Sequence, residues 1–337
     1  MEILQKQFRA PEIYGDYWIN SEPTPVSSLQ GSAVLIEFWD YTSQAWIRGV
    51  PYTREWFSRY REEGLAVIGV HTPRFPFGRD PVTVRTAVEN FGLRHPIVLD
   101  NDYLVWSAYR ATAWPTRYLV DKNGFIRYLH GGEGSYQNFE QAIQSLLHEI
   151  GYRLHFPPPM DPIREEDRPG AYSFRATPEI LLGWQRGTIG NVEGIAPEST
   201  IRYCDPGVYL EGRVYLDGDW SIHRSHINMG NSEGGSGGLT VLYQGKEVNA
   251  VLEPSGEKNF QVFLTQNGKN LGKENSGNDV FTDGEGRTFI RVDKARLYNL
   301  VKNREYGEHT LNLTSRSNGL AVFSLSFVSS IIPEMIS

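Results

Sequence analysis

Few side chains in this chain could carry chemistry, and only one of them is a cysteine, Cys204. A single thiol cannot close an internal disulfide, build a CxxC zinc site or alternate between dithiol and disulfide within one chain. Glu37 interrupts an apolar run, where a carboxyl group is costly unless it is hydrogen-bonded or protonated. His71 follows a second apolar run, at the strand end where ligand sites of α/β proteins lie. Either side chain could serve a buried site, and a structural role is the alternative for each.

Ser43 stands just before a helical pattern of apolar residues that starts at Trp46. Serine is a preferred N-cap, so capping is the simplest role for its hydroxyl. The alternative is an anion site or a nucleophile, because a helix N-terminus carries partial positive charge. No Ser/His/Asp constellation accompanies it. Trp39, Trp46 and Trp114 either pack in the core or line an apolar groove.

Four aromatic residues in the second half are candidates for stacking on the sugar rings of a glycan, because a flat apolar face suits a pyranose. They are Tyr209, Tyr215, Trp220 and Tyr243, and core packing is the alternative for each. His223 and His226 form an HxxH pair, but residues three apart on a strand point to opposite faces. We therefore expect no metal ion and no cofactor.

The secondary-structure pattern around these residues differs between the two halves of the chain. Up to residue 150, short apolar runs alternate with helical patterns, which predicts an α/β domain with a mixed sheet between helices. The predicted strands are residues 33–39, 65–70, 96–100, 117–120 and 125–129, and the predicted helices are residues 46–63, 80–91, 103–109 and 136–150. Asn123-Gly124 is a strong signal for a hairpin turn between the last two strands.

The second half has the pattern of an all-β domain. Short strand-like segments separated by Gly-rich turns predict an antiparallel sandwich of the jelly-roll kind. These segments are residues 208–216, 238–244, 248–252, 260–265, 288–292, 310–314 and 320–328. Residues 293–302 give the one helical pattern. Residues 156–170 contain five prolines and a charge cluster, so we predict a linker between a domain of residues 1–155 and a domain of residues 171–337.

Charge and hydropathy exclude several classes of protein. The net charge is −7, and no run of Lys or Arg offers a general nucleic-acid surface. No apolar stretch approaches the roughly 20 residues of a membrane-spanning helix, so we expect no membrane insertion. The first ten residues lack the apolar core of a signal peptide. The sequence as it stands predicts a cytoplasmic protein.

Three segments of the first half resemble the thioredoxin superfamily. Residues 35–39 are similar to the strand that leads into the redox site of that family. Pro51, eight residues after Ser43, is similar to the kinking proline of the first helix. Trp114-Pro115, followed by a threonine and an apolar strand, resembles the cis-proline loop. The resemblance implies a thioredoxin-like domain with a cis peptide bond before Pro115.

Further segments resemble the extracytoplasmic part of DipZ-type proteins, in which a thioredoxin-like domain precedes a β-sandwich similar to carbohydrate-binding modules. They are residues 69–73, 100–103, 130–134, 177–183, 248–254 and 296–300. The resemblance covers nearly the whole chain. It implies an oxidoreductase by family, a possible glycan ligand for the sandwich, and an extracytoplasmic location if a leader precedes this sequence.

The chain departs from this family at the redox site. The four positions of the family's CxxC motif read Ser43-Gln44-Ala45-Trp46. Thiol–disulfide exchange needs an attacking thiolate and a second thiol that resolves the mixed disulfide. We therefore predict a redox-inactive binding or scaffolding protein that holds a peptide, a small ligand or a glycan. The alternative is an oxidoreductase that uses an external thiol, from glutathione or from a partner.

Overall fold

The computed structural model of the protein describes residues 2–151, 155–230, 237–256, 260–316 and 319–332, with side chains from residue 8 onward. The chain divides into two compact units, Met1–Ala171 and Tyr172–Ser337. Unit 1 is the thioredoxin-like α/β domain and unit 2 is built from antiparallel strands, so the fold class predicted from the sequence is confirmed.

Unit 1 has a seven-stranded mixed sheet in the order β1-β7-β6-β3-β4-β5-β2. The strands are β1 (Glu2–Arg9), β2 (Trp18–Ile19), β3 (Ala33–Trp39), β4 (Leu65–His71), β5 (Ile97–Leu99), β6 (Thr116–Val120) and β7 (Phe125–Gly131). The helices are α1 (Gln44–Tyr60), α2 (Pro81–Asn90), α3 (Leu104–Tyr109) and α4 (Tyr136–Ile150). β3 is parallel to β4 and antiparallel to β6, and every one of its side chains is buried.

Local signals explain where these elements begin and end. Asp80 caps α2, because its carboxylate accepts hydrogen bonds from the backbone amides of residues 82 and 83. Gly124 adopts a left-handed conformation, φ +82°, in the predicted hairpin turn between β6 and β7. Pro51 lies inside α1, as the resemblance implied. The sequence analysis missed β1 and the two-residue β2.

Residues 156–170, predicted as a linker, are not a free spacer but lie inside unit 1. The backbone amide of Met160 donates to the carboxylate of Glu140 on α4 at 2.8 Å. The Tyr52 hydroxyl on α1 donates to the buried carboxylate of Asp167 at 2.7 Å. Prolines prevent a ladder or a helix, but they leave carbonyls, amides and side chains free to pack against a neighbour. The boundary between the units therefore falls at residues 171 and 172.

Unit 2 contains an 11-stranded sheet in which antiparallel pairs predominate. Its strands are β8 (Ile180–Leu181), β9 (Thr200–Tyr203), β10 (Val214–Ile222), β11 (Ile227–Met229), β12 (Gly237–Pro254), β13 (Phe260–Gln266), β14 (Lys269–Asn270), β15 (Val280–Thr282), β16 (Thr288–Val292), β17 (Arg296–Ser315) and β18 (Leu320–Val328). The long strands β12 and β17 pair along most of their length, and β12 also pairs with β18. The serines between the apolar residues of β18 are buried as well, so this strand is covered on both faces.

The predicted helix at residues 293–302 is wrong, because residues from Arg296 onward form the first part of β17. Tyr298 and Leu300 are buried with the period of two that a strand requires, and Tyr298 pairs with Ala250 on β12. The two strands predicted at 238–244 and 248–252 are one strand, β12, with a register shift after Gly245.

His223 and His226 occupy the turn between β10 and β11 rather than one strand. Their ring centroids lie 4.7 Å apart in a stacked arrangement. The prediction that the two side chains point apart is therefore wrong, because the turn brings them to the same side.

No helix in the described part of the chain is long and apolar enough to cross a membrane.

Candidate functional site

The N-terminus of α1 lies where the resemblance places the redox motif. Ser43 is the N-cap, and its Oγ accepts a hydrogen bond from the Trp46 amide at 3.3 Å. The same hydroxyl donates to the carbonyl oxygen of Trp114 at 2.7 Å. The Trp114–Pro115 peptide bond is cis, as predicted. Ser43 is 4% exposed, so its hydroxyl is committed within the fold and has little access to a ligand.

Trp46, at the position where the resemblance places the second motif cysteine, is fully buried. Its indole Nε1 donates to Oε2 of Glu37 at 3.0 Å. Its ring stacks on Trp39 at 4.5 Å between centroids, and Phe91 meets it edge-on at 4.9 Å. A large indole with a satisfied N–H therefore fills this part of unit 1.

Glu37 is buried and fully engaged. Its Oε1 accepts from the Thr53 hydroxyl at 2.8 Å and from Nε of Arg117 at 2.7 Å. Together with the Trp46 indole, these donors satisfy both carboxylate oxygens. A buried acid with this set of partners is a structural anchor that ties β3 to α1 and β6.

Arg117 supplies the counter-charge from the neighbouring strand. β3 and β6 pair so that Glu37 lies directly opposite Arg117. The guanidinium lies against the rings of Tyr136 and Trp56, with its carbon 5.5 and 5.8 Å from their centroids. Gly49 on α1 makes room for it, because a Cβ atom there would lie 2.5 Å from Nη2 of the arginine.

His71 ends β4 and is completely buried beside this cluster. Trp39 meets its ring edge-on at 4.8 Å, and Tyr41 lies parallel to it at 5.8 Å. Its Nε2 is 3.7 Å from Oδ2 of Asp40, and neither ring nitrogen has a hydrogen-bond partner among the described residues. Burial lowers the pKa of His71 to about 4, although the nearby Asp40 opposes the shift. The imidazole is therefore neutral at pH 7.

Because the buried imidazole of His71 is neutral, we expect the protein to lose stability in acid. The pKa of His71 falls from an ordinary value of 6.5 to about 4 in the fold, so between these values the unfolded chain binds more protons. The free energy of unfolding that the buried His71 contributes is fully present above pH 6.5. It declines by on the order of 3 kcal/mol as the pH falls towards 4. We expect His71→Gln to flatten the free energy of unfolding measured between pH 7 and pH 4. His148→Gln, a change at an exposed histidine, should leave the slope as in the wild type. An unchanged slope in His71→Gln would contradict the assignment.

The partly exposed surface beside Pro115 consists of two tryptophans. Trp114 stacks on Trp106 of α3 at 4.2 Å between centroids, and its Nε1 donates to the carbonyl of Thr72 at 2.8 Å. The Arg74 guanidinium lies 5.7 Å from the centre of the Trp114 ring. We call Trp106 and Trp114 the tryptophan edge. It is a fixed aromatic surface, because the Trp114 ring is held by stacking and by its hydrogen bond.

Two family models match separate parts of the chain. The AhpC/TSA family matches residues 7–129, and the thioredoxin-like C-terminal domain matches residues 177–327. The protein DipZ of Mycobacterium bovis is 31% identical over 335 residues, which cover 94% of this chain and 42% of DipZ. Residues 7–129 are thus similar to the AhpC/TSA family, residues 177–327 to the thioredoxin-like C-terminal domain, and the order of the two parts to that of DipZ-type, two-domain proteins.

The chain spans less than half of the length of the DipZ sequences it matches. The thiol-disulfide oxidoreductase ResA of Geobacillus kaustophilus is 29% identical over 121 residues, 36% of this chain and 67% of ResA. Among solved structures, the crystal structure of a thioredoxin-like superfamily protein covers 41% of this chain and 96% of its own, with 24% identity and a TM-score of 0.40.

The structure brings the candidate residues of unit 1 into one cluster. Trp39, Trp46, Glu37 and His71 are buried together, and Ser43 joins them to the partly exposed Trp114 beside the buried Pro115. Two partners of this cluster, Arg117 and Thr53, were not predicted from the sequence. The sequence does contain a pattern that could have indicated Arg117. It is a charged residue in an apolar strand, two residues after Pro115, just as Glu37 is a charged residue in the apolar strand before Ser43.

The four glycan-binding candidates of unit 2 do not form an exposed cluster. Tyr215, Trp220 and Tyr243 are buried, and the rings of Trp220 and Tyr243 belong to the hydrophobic core. Tyr209 is partly exposed, but its ring packs edge-on against Tyr215 at 5.1 Å and its hydroxyl donates to Asp205. This packing leaves Tyr209 as the one candidate with an accessible ring face.

Proposed function

We propose that this chain is a redox-inactive, thioredoxin-like binding protein whose unit 1 holds a peptide at the tryptophan edge. The proposal rests on the side chains that occupy the two motif positions, 43 and 46. Ser43 donates its hydroxyl to the Trp114 carbonyl, and Trp46 donates its indole N–H to Glu37. Neither side chain can form or resolve a mixed disulfide, and the one cysteine is exposed in unit 2.

The tryptophan edge supports a peptide as the ligand of unit 1. Trp114 and Trp106 are partly exposed and rigidly held, so they offer apolar area without a large loss of side-chain entropy on binding. Arg74 beside them favours a peptide with an acidic or carboxyl group near its aromatic contact. The buried members of the cluster then act as the support of this surface rather than as its contacts.

Selection of peptides from a displayed random library tests this role. We expect peptides enriched on the full chain to lose binding to Trp114→Ala by about tenfold or more, since aromatic hot spots contribute at least that much. Trp184→Ala in unit 2 is the matched control and should bind as the wild type. Circular dichroism and the melting temperature must show that Trp114→Ala remains folded. Enriched peptides that bind a folded Trp114→Ala as tightly as the wild type would refute the proposed surface.

The competing proposal is an oxidoreductase that recruits an external thiol, which the name thiol-disulfide oxidoreductase of relatives such as ResA favours. Such a thiol would have to act beside Ser43, whose side chain is almost wholly enclosed. This alternative would be favoured if the wild type turned over a disulfide substrate with glutathione and a variant with a substituted tryptophan edge did not. A glycan ligand for unit 2 and a cytoplasmic location stay predictions.

A further inference from the structure

A cavity of about 590 Å³ lies on unit 1 away from the N-terminus of α1. One wall is the face of α1 that presents Pro51, Arg54, Glu55 and Ser58 at helical spacing, continued by Arg61 just after the helix. The turn after α2, residues 92–95, forms the second wall. Met160 and Ile163 of the Pro-rich segment form the third. The volume is that of a small-molecule site.

The charged residues around this cavity are mostly basic. Arg54, Arg61 and Arg94 line it with a single acid, Glu55, whose carboxylate accepts from Arg59 at 2.8 Å. Arg54 and Arg94 have no ion pair among the described residues, and Arg61 pairs only with the exposed Glu62. Three guanidinium groups around one concavity raise its potential, and guanidinium binds carboxylate and phosphate in a bidentate manner.

A buried polar atom gives the cavity a second feature of a ligand site. His95 lines the cavity and is 1% exposed, yet its Nδ1 has no hydrogen-bond partner among the described residues. A buried, unpartnered nitrogen carries a free-energy penalty that a ligand can remove. Burial lowers the pKa of His95 to about 4, so at neutral pH the ring can offer one donor and one acceptor.

The remaining surface of the cavity is apolar. Phe57 packs edge-on to His95 at 5.7 Å, and Pro51, Met160 and Ile163 extend this apolar side. Gly92, at φ +63°, lies beside the Arg54 guanidinium on the opposite wall. A ligand that contacts both the arginines and the apolar residues therefore needs an anionic group and an apolar body.

We propose that this cavity binds a small amphipathic anion, a carboxylate or phosphate ester that carries an aromatic or short alkyl group. The arginines hold the anionic group, Phe57 and Met160 contact the apolar part, and His95 bonds to a polar atom at the base. None of these residues belongs to the Ser43 cluster or to the tryptophan edge. The site therefore shares no residue with the proposed peptide surface.

Isothermal titration calorimetry of the full chain with phenyl phosphate, at low ionic strength, tests the site. We expect saturable binding that Arg54→Ala and Arg94→Ala each weaken by about tenfold or more, the usual effect of losing a charge-assisted hydrogen bond. Arg79→Ala, at an exposed arginine outside the cavity, should bind as the wild type. Arg54 and Arg94 are both exposed, so these two variants should keep the wild-type melting temperature.

Two partial probes separate the contributions. Inorganic phosphate and benzyl alcohol should each bind at least about tenfold more weakly than phenyl phosphate, because each satisfies only one side of the cavity. Equal affinity for inorganic phosphate would overturn the apolar half of the proposal, and equal affinity for benzyl alcohol would overturn the anionic half. Absence of phenyl phosphate binding, or binding insensitive to both arginine substitutions, would overturn the site itself.

Discussion

Arg117→Met is expected to destabilise unit 1 by about 3–5 kcal/mol, the usual cost of removing one partner from a buried ion pair. The arginine is the only charged donor to the Glu37 carboxylate among its described hydrogen bonds, at 2.7 Å, and both side chains are almost wholly buried. Methionine fills much of the volume but leaves Glu37 without a counter-charge. Chemical denaturation of the full chain, followed by the tryptophan fluorescence of unit 1, measures the loss.

The matched control is a double variant that also removes the charge of Glu37, which Arg117→Met leaves unpaired. In Glu37→Gln/Arg117→Met the amide oxygen can still accept from Trp46 or Thr53, so we expect much of the lost stability to return. The double-mutant cycle then reports the coupling between the two side chains. A loss below about 1 kcal/mol in Arg117→Met would show that the pair does not anchor the strands, since surface pairs reach only that range.

The double variant Ser43→Cys/Trp46→Cys is expected to gain disulfide reductase activity, whereas we expect none in the wild type. Position 43 is the N-cap of α1, where the partial positive charge of the helix lowers the pKa of a thiol. The carboxylate of Glu37 accepts from the Trp46 indole in the wild type, so it faces the space that a cysteine at position 46 would open and can take part in proton transfer through that space. Reduction of insulin by dithiothreitol, followed as turbidity, measures the gain over background.

This variant also removes a buried indole, and the cavity should cost about 3–5 kcal/mol of stability. Ser43→Ala/Trp46→Ala carries a similar cavity without thiols and should stay at background rate. Circular dichroism must first show that both variants are folded. A folded double-cysteine variant that forms its internal disulfide but exchanges with no substrate would show that the surface around α1 no longer admits one.

The sequence predicted those parts of the protein in which local pattern and tertiary environment agree. The strand at Leu320–Val328 and the strand at Ala33–Trp39 were predicted to the residue, because long apolar runs bounded by polar turns leave few alternatives. The helix boundary at Ser43 followed from capping chemistry. The convergence of Trp39 and Trp46 followed from the register that the family resemblance supplied.

The parts that were missed depend on partners distant in sequence. Residues 296–302 have a helical spacing of apolar side chains, but pairing along β12 holds them in a strand. The burial of Tyr215 and Trp220 could not be predicted, since an aromatic in a strand is compatible with either face. Arg117 was overlooked because its partner, Glu37, is 80 residues away and only the sheet register joins them.

The most direct test of the central claim is the insulin reduction assay on the purified wild-type chain, with dithiothreitol or glutathione as the thiol donor. We expect a rate equal to that of the donor alone, both in the wild type and in Cys204→Ser, because no thiol lies in unit 1. A rate well above the donor alone that persists in Cys204→Ser would contradict it, since that activity would have to arise without any cysteine of the chain.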